Sequence, residues 1–280
     1  MKKLRFACLL LIALCLVFTG CSRTSLVYDD SDKYAAGDAT ISEPVRNLDL
    51  VWISGGVKIA YHPENTILLS ESANRSLSEE NSMRWYLDGD TLRIRYAASG
   101  KLNFFNFRDL NKQLTLTLPE DFRGQRIQFD LTSANLTAPF LAAQEMEIAL
   151  VSGDVSLTAE ANHLKVETVS GKQRLNVSVA KGLELSSVSG DVSLTTPQLP
   201  ETCAIETVSG DVALTLPRNA GCTLRFSSIS GDLTSALPIS ASGKTYLLGD
   251  GQSEFSIDTT SGDLDLLEST QSSPFKEVFS

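Results

Sequence analysis

From Arg126 to Leu267 apolar and polar residues alternate in short runs, and the runs are joined by one recurring turn. Each unit reads apolar-x-apolar-x-Thr/Ser-Val/Ile-Ser-Gly-Asp-apolar-x-apolar. In one unit the inward set is Cys203, Ile205 and Thr207, then Val212, Leu214 and Leu216. The same set recurs as Leu183, Leu185, Ser187, Val192 and Leu194, and as Leu224, Phe226, Ser228, Leu233 and Leu237. Alternation with a period of two marks half-buried strands. Its parity slips across the Ser-Gly-Asp, so the chain must bend there while apolar side chains on both sides of the bend keep pointing inward. Glycine supplies a positive φ, and the aspartate can hydrogen-bond the backbone just ahead, satisfying its own turn.

The turns are Ser152-Gly153-Asp154, Ser189-Gly190-Asp191, Ser209-Gly210-Asp211, Ser230-Gly231-Asp232 and Ser261-Gly262-Asp263. A variant stands at Ser170-Gly171-Lys172 and an eroded copy at Ser133-Ala134-Asn135. From serine to serine the steps are 19, 18, 19, 20, 21 and 31 residues. A near-constant step of this size is the mark of a solenoid. At about 3.3 Å per residue, a unit of this length makes one coil of two short strands and their corners. The pattern predicts an all-β chain: a parallel β-solenoid of successive coils over residues 126–267, with the turns aligned along one edge. The final step predicts an insertion over Ser240 to Ser253.

Upstream, residues 40–125 predict a more irregular β region. Leu48, Leu50 and Trp52 alternate, and Ser54-Gly55-Gly56 imitates the later turns. Met83 to Tyr96 predicts a hairpin turning at Asp88-Gly89-Asp90. A loop from Ala97 to Gln113 carries Phe104, Phe105 and Phe107, expected to fold back over an open end of the core. Leu114 to Leu118 predicts a strand stopped by Pro119. Residues 268–280 predict a polar tail. No amphipathic helix is legible after the leader.

The first 20 residues stand apart from this pattern. Lys2, Lys3 and Arg5 precede an apolar run from Phe6 to Phe18, and Phe18-Thr19-Gly20 precede Cys21. This is the layout of a signal peptide. A cysteine directly after small residues resembles a bacterial lipobox, which implies cleavage before Cys21 and its lipidation. Residues 21–39, acidic and without periodicity, then predict a flexible tether to the membrane. Only Cys203 and Cys222 remain to pair. Their offset from their turns differs by two residues, which predicts two buried thiols rather than a disulfide if their coils are adjacent.

Composition narrows the function. The chain carries −10, and loss of the three basic leader residues leaves 21 basic against 34 acidic, or −13. That disfavours nucleic acid and electrostatic docking on anionic lipid. An aligned row of Asp191, Asp211 and Asp232 could attract calcium. Against it, each carboxylate can serve its own turn, Lys172 interrupts the row, and no calcium-binding nonapeptide is present, so no metal or cofactor is assigned. His62 and His163, the only histidines, have no ligand-like neighbours in sequence. No nucleophile elbow or phosphate-binding glycine loop is present, which predicts a protein without catalytic residues.

Three features together resemble the bacterial extracytoplasmic adhesin-like repeat domain of unknown function. They are the strand ending Leu116-Thr117-Leu118-Pro119, the serial Ser-Gly-Asp turns, and Leu248-Gly249-Asp250-Gly251 before Phe255 to Asp263. The resemblance spans about residues 45–267 and implies a β-solenoid-like fold outside the cytoplasmic membrane, with no catalytic residues to carry over. The expectation is a non-enzymatic lipoprotein of the cell membrane that acts as a binding or scaffold module of the envelope. Its partner would be an envelope protein, a wall polymer or a second copy. The alternatives are a carbohydrate-active lyase or hydrolase on the same scaffold and a purely structural spacer.

Overall fold

The computed structural model describes residues 27–100 and 110–269. They are built from β-strands with two short 3-10 turns, and no helix among them is long and apolar enough to cross a membrane. Cys21, Phe104, Phe105, Phe107 and the expected leader and polar tail past Ser269 lie outside the described residues. The chain divides into two compact units after Asp154. The first repeats of the array, up to Asp154, thus group with the irregular region upstream.

The first unit contains β1 (Ala35–Ala36), β2 (Ala39–Ile41), β3 (Asn47–His62), β4 (Ile67–Ala73), β5 (Arg84–Asp88), β6 (Thr91–Arg95), β7 (Lys112–Pro119) and β8 (Gly124–Ser152). β5 and β6 pair antiparallel around Gly89 and Asp90. β3 is the centre of the unit. Its first half pairs in parallel with β6 and its second half with β7, while β8 runs parallel along its other side. The earliest coil therefore lies between two later ones. Leu48, Leu50 and Trp52 point inward from β3, Leu92 and Ile94 from β6, and Ile127, Phe129 and Leu131 from β8, all buried. Ser54, Gly55 and Gly56 lie opposite Ser133, Ala134 and Asn135, so the imitation turn and the eroded turn are stacked copies of one motif.

The segment expected to tether the chain is packed from Tyr28 onward. β1 pairs with β5, Tyr34 is buried, and the Tyr28 hydroxyl donates to the Ala97 carbonyl at 3.0 Å. The aromatic rings supply apolar area that the acidic composition of this stretch conceals.

The second unit contains β9 (Val155–Ser170), β10 (Gln173–Ser189), β11 (Val192–Thr195), β12 (Thr202–Ser209), β13 (Val212–Leu216), β14 (Cys222–Ser230), β15 (Leu233–Ser235), β16 (Ser240–Ser242), β17 (Thr245–Leu248), β18 (Ser253–Ser261) and β19 (Leu264–Glu268). Its coils pair in parallel, serine over serine: Ser170 with Ser189, Ser189 with Ser209, Ser209 with Ser261. β9 and β10 run unbroken around their corners, with a register shift between Val179 and Gly182, instead of as two separate short strands.

The order of the coils departs from the expected succession. β18 pairs with β12 on one side and β14 on the other, and β19 likewise lies between β13 and β15. The last coil is inserted between the two before it. The expected insertion makes this possible: β16 and β17 form a hairpin, β17 lies antiparallel on β14, and the chain then returns as β18. Cys203 and Cys222 consequently face Phe255 and Ser253 of the strand between them. Both thiols are free and buried, and burial pushes both upward, Cys222 to about 11.

Candidate functional site

The residues singled out by the sequence pattern sit in the repeated turns. The carboxylates of Asp191, Asp211 and Asp263 each serve a neighbouring coil. The Asp211 N–H donates to Asp191 Oδ1 at 3.3 Å, Asp263 N–H to Asp211 Oδ1 at 3.0 Å, and Asp232 N–H to Asp263 Oδ1 at 2.8 Å. In the first unit the Asp154 N–H donates to Asn135 Oδ1 at 2.9 Å. These side chains act as rungs, contrary to the expectation that each satisfies its own turn. The local carbonyl is served by another side chain: Ser187, Thr207 and Thr259 hydroxyls donate to the carbonyls of Gly190, Gly210 and Gly262. Asp263, and not Asp232, follows Asp211 in space. Lys172 closes the row with a 3.0 Å ion pair to Asp191, whose carboxyl is held below its ordinary value chiefly by that lysine. Among the described residues no cluster of His, Cys, Asp or Glu is arranged to hold a metal.

Glycine is required in these turns for two reasons. Gly190 has φ +146°, and a Cβ there would lie 2.0 Å from the Gly171 carbonyl oxygen. Gly210 has φ +149°, with its Cβ position 2.2 Å from the Gly190 oxygen. The turn residues are thus structural. His163 is exposed, and His62 sits between Glu64, 2.8 Å away, and the Thr66 carbonyl, 2.6 Å away.

The chemistry gathers elsewhere, on the outward face of the first unit. Because side chains alternate along a strand, burying Leu48, Leu50 and Trp52 turns Asp49 and Val51 outward. The same rule turns out Arg93 and Arg95 on β6, and Gln128 and Asp130 on β8. Parallel register aligns them in two rows: Arg93, Asp49 and Gln128, and beside it Arg95, Val51 and Asp130. Tyr86 of β5 extends the first row opposite Arg93. These residues floor a cavity of about 610 Å³, whose wall is the packed segment from Val27 to Tyr34.

Asp49 anchors the floor. It takes Arg93 at 2.9 Å and Arg95 at 2.8 Å, the latter through two guanidinium nitrogens, and Arg93 also holds Asp88 at 3.0 Å. Two-pronged pairing of this kind fixes geometry as well as charge. Tyr28, Tyr34 and Tyr86 form a chain of tilted rings with centroids 4.7 and 5.4 Å apart. Lys33 pairs with Asp30 at 3.0 Å and lies 5.7 Å from the Tyr86 ring centre. Asp130 is the exception. It receives one hydrogen bond, from Gln128 Nε2 at 3.2 Å, and no ion pair reaches it among the described residues. Burial pushes its carboxyl above the ordinary value, only partly offset by Gln128 and by Arg95. None of these cavity residues is in a recognisable motif. The available signal was the strand alternation itself, which marks them as outward-facing without showing that they meet.

The unit also holds a buried ion pair. Lys112 is 0 % exposed and lies 2.5 Å from Glu71, whose side chain is 4 % exposed. Its ammonium donates to the Asn81 and Tyr96 carbonyls and lies against the Trp52 and Tyr96 rings. Burial pushes Lys112 down to about 8, with Glu71 pulling the other way.

Residues 123–267 match the model of the Toastrack DUF4097 family. No curated protein sequence matches the chain. Three solved structures are similar to it at low identity. A candidate cell adhesion protein from Clostridium sporogenes ATCC 15579 is 13% identical with TM-score 0.39, over 84% of this chain and 100% of that one. A candidate adhesin from Bacteroides fragilis NCTC 9343 is 11% identical with TM-score 0.42, over 84% and 97%. A candidate lipid-binding protein from Parabacteroides distasonis ATCC 8503 is 14% identical with TM-score 0.39, over 82% and 96%. The family match takes in both the last repeats of the first unit and all the inserted-coil architecture of the second, more than half of the 280 residues, and the chain belongs to the Toastrack DUF4097 family.

Proposed function

We propose that this protein is a non-enzymatic binding module of the bacterial cell envelope, held on the outer side of the cytoplasmic membrane by a lipid on Cys21. The observation that supports binding is the cavity floored by β3, β6 and β8. It gathers a fixed set of charges on paired strands, where side chains hold position better than on loops, and three tyrosines, Tyr86 on β5 and Tyr28 and Tyr34 on the packed segment before β1. Asp49 is committed to two arginines, which suits a rigid recognition surface. The leader and Cys21 support the location. The partner is an envelope protein, a wall polymer or a second copy, and nucleic acid is disfavoured by the charge of the chain. Globomycin should accumulate the uncleaved precursor, and Cys21→Ser should release the protein from the membrane fraction. An unchanged precursor and an unchanged distribution would remove the lipid anchor from the account.

One observation favours a second reading. Asp49 and Asp130 line the same cavity, and Asp130 is raised by burial in the direction a general acid needs. A carbohydrate-active enzyme would release reducing ends from wall glycan, and Asp130→Asn would abolish the release. The binding module releases none.

A further inference from the structure

The ionic pairing around the cavity decides what charge it can accept. Asp29, Asp30, Asp49 and Asp130 line it with Arg93 and Arg95, and Asp88 and Lys33 stand beside them as ion-pair partners. All three cations are committed: Arg93 to Asp49 and Asp88, Arg95 to Asp49, and Lys33 to Asp30. An anionic ligand would have to break one of these pairs. Asp130 and Asp29 have no ion-pair partner among the described residues, and Asp130 stands at the floor of the cavity. Tyr28, Tyr34 and Tyr86 line the same cavity, and ring faces attract cations through their quadrupoles. The protein itself uses this preference nearby, where the Lys33 ammonium pairs with a carboxylate and lies near the Tyr86 ring.

We propose that the cavity takes the ammonium group of a small organic cation, with Asp130 as the counter-charge and the Tyr28, Tyr34 and Tyr86 rings as the surrounding wall. The proposal rests on the cavity being the binding site of the module and adds the chemical class of what enters it. An ammonium brings charge to the one floor carboxylate that lacks it, so the cavity discriminates an amine from its acylated, neutral counterpart. An amino sugar, a lipid headgroup amine and a quaternary amine share this chemistry.

The test is titration of the full chain in detergent with glucosamine, ethanolamine and choline, with N-acetylglucosamine as the neutral partner, followed by calorimetry or by NMR of the ligand. At least one amine should bind saturably, and glucosamine at least tenfold more tightly than N-acetylglucosamine if the source is an amino sugar. Preference for ethanolamine or choline would point instead to a headgroup. Asp130→Asn should weaken the best amine at least tenfold, and Asp263→Asn, in the other unit, should leave it unchanged. Asp130→Asn is expected to fold normally, because it removes a buried charge and keeps the bond from Gln128 to the side-chain oxygen. Equal binding of glucosamine and N-acetylglucosamine with no preference for the other amines, saturable amine binding indifferent to Asp130→Asn, or no saturable amine binding overturns the proposal. Capture of a partner at the cavity rim in cells, combined with any of those results, would leave the binding module standing without this ligand class.

Discussion

The backbone N–H of Asp263 donates to the carboxylate of Asp211, a residue 52 positions earlier in the chain, at 3.0 Å. On the other side of the same coil, Asp232 donates to Asp263 at 2.8 Å. The last coil is therefore a wedge whose removal should unseat its neighbour. In a stack built in chain order, deleting the final coil shortens the end and leaves the rest paired. Here, ending the chain after Gly251 removes β18 and β19, and with them the parallel partner of β14 and β15. Hydrogen exchange should then show residues 227–235, which lie past the β17 pairing, without protection while β9 and β10 keep theirs. Retained protection over 227–235 would contradict the insertion.

This inversion shows how far the sequence could be read. The inward sets, such as Cys203, Ile205, Thr207, Val212, Leu214 and Leu216, are buried as the alternation requires. The Ser-Gly-Asp turns stack serine over serine, so register too was legible. Coil order was not. Every coil carries nearly the same apolar pattern and the same turn, so Ser209 fits Ser230 as well as Ser261, and only the path of the β16–β17 hairpin decides between them. The cavity was hidden for a related reason. Asp49, Arg93 and Asp130 each read as an ordinary solvated position on its own strand, and they meet because β3 lies between β6 and β8. Tyr28 and Tyr34 were obscured by the aspartates around them.

Gly190→Ala tests the close approach of the coils. The added methyl would meet the Gly171 carbonyl at 2.0 Å on a backbone with φ +146°. Neither the clash nor the dihedral can relax without parting the ladder, so a loss of about 3 kcal/mol or more is expected in chemical denaturation. Gly89→Ala is the comparison. It has φ +64° with open space around it, and should cost about 1 kcal/mol.

The buried pair of Lys112 and Glu71 predicts a dependence on both partners. Lys112→Met leaves the Glu71 carboxylate buried without its counter-ion and should cost about 3–5 kcal/mol. Adding Glu71→Gln should recover a large part, since the glutamine oxygen still accepts the Met83 N–H now held at 2.9 Å by Glu71. The pair also carries a pH signature. Lys112 is pushed down to about 8, below its ordinary value of 10.5. Between those limits the unfolded chain binds the extra proton, so this group raises stability as pH climbs from about 8 to 10.5 and adds no pH dependence below about 8. Lys112→Met should flatten that rise in a stability–pH profile.

Asp130 predicts the opposite behaviour for a carboxylate. Burial raises it above its unfolded value of 3.8. The folded chain therefore holds the proton more tightly, and stability from this group is present below about pH 3.8 and lost as pH rises through the folded value. Asp130→Asn removes the loss. It should raise the melting temperature at pH 7, and the gain should shrink to nothing on acidification. A lowered melting temperature at pH 7 would mean that Asp130 holds the floor together by contacts other than that of Gln128.

The central claim, that the cavity face of the first unit is where this protein meets its partner, is tested most directly by photo-crosslinking in cells. A photo-reactive residue is placed at Asp29 on the cavity wall, and a second, as control, at exposed Gln198 in the other unit. Captured material is identified by mass spectrometry and glycan analysis. The account predicts one dominant membrane protein, wall polymer or second copy captured from position 29, and its loss with Tyr86→Leu in the same chain. Equal capture from both positions, or capture from position 198 alone, would contradict it.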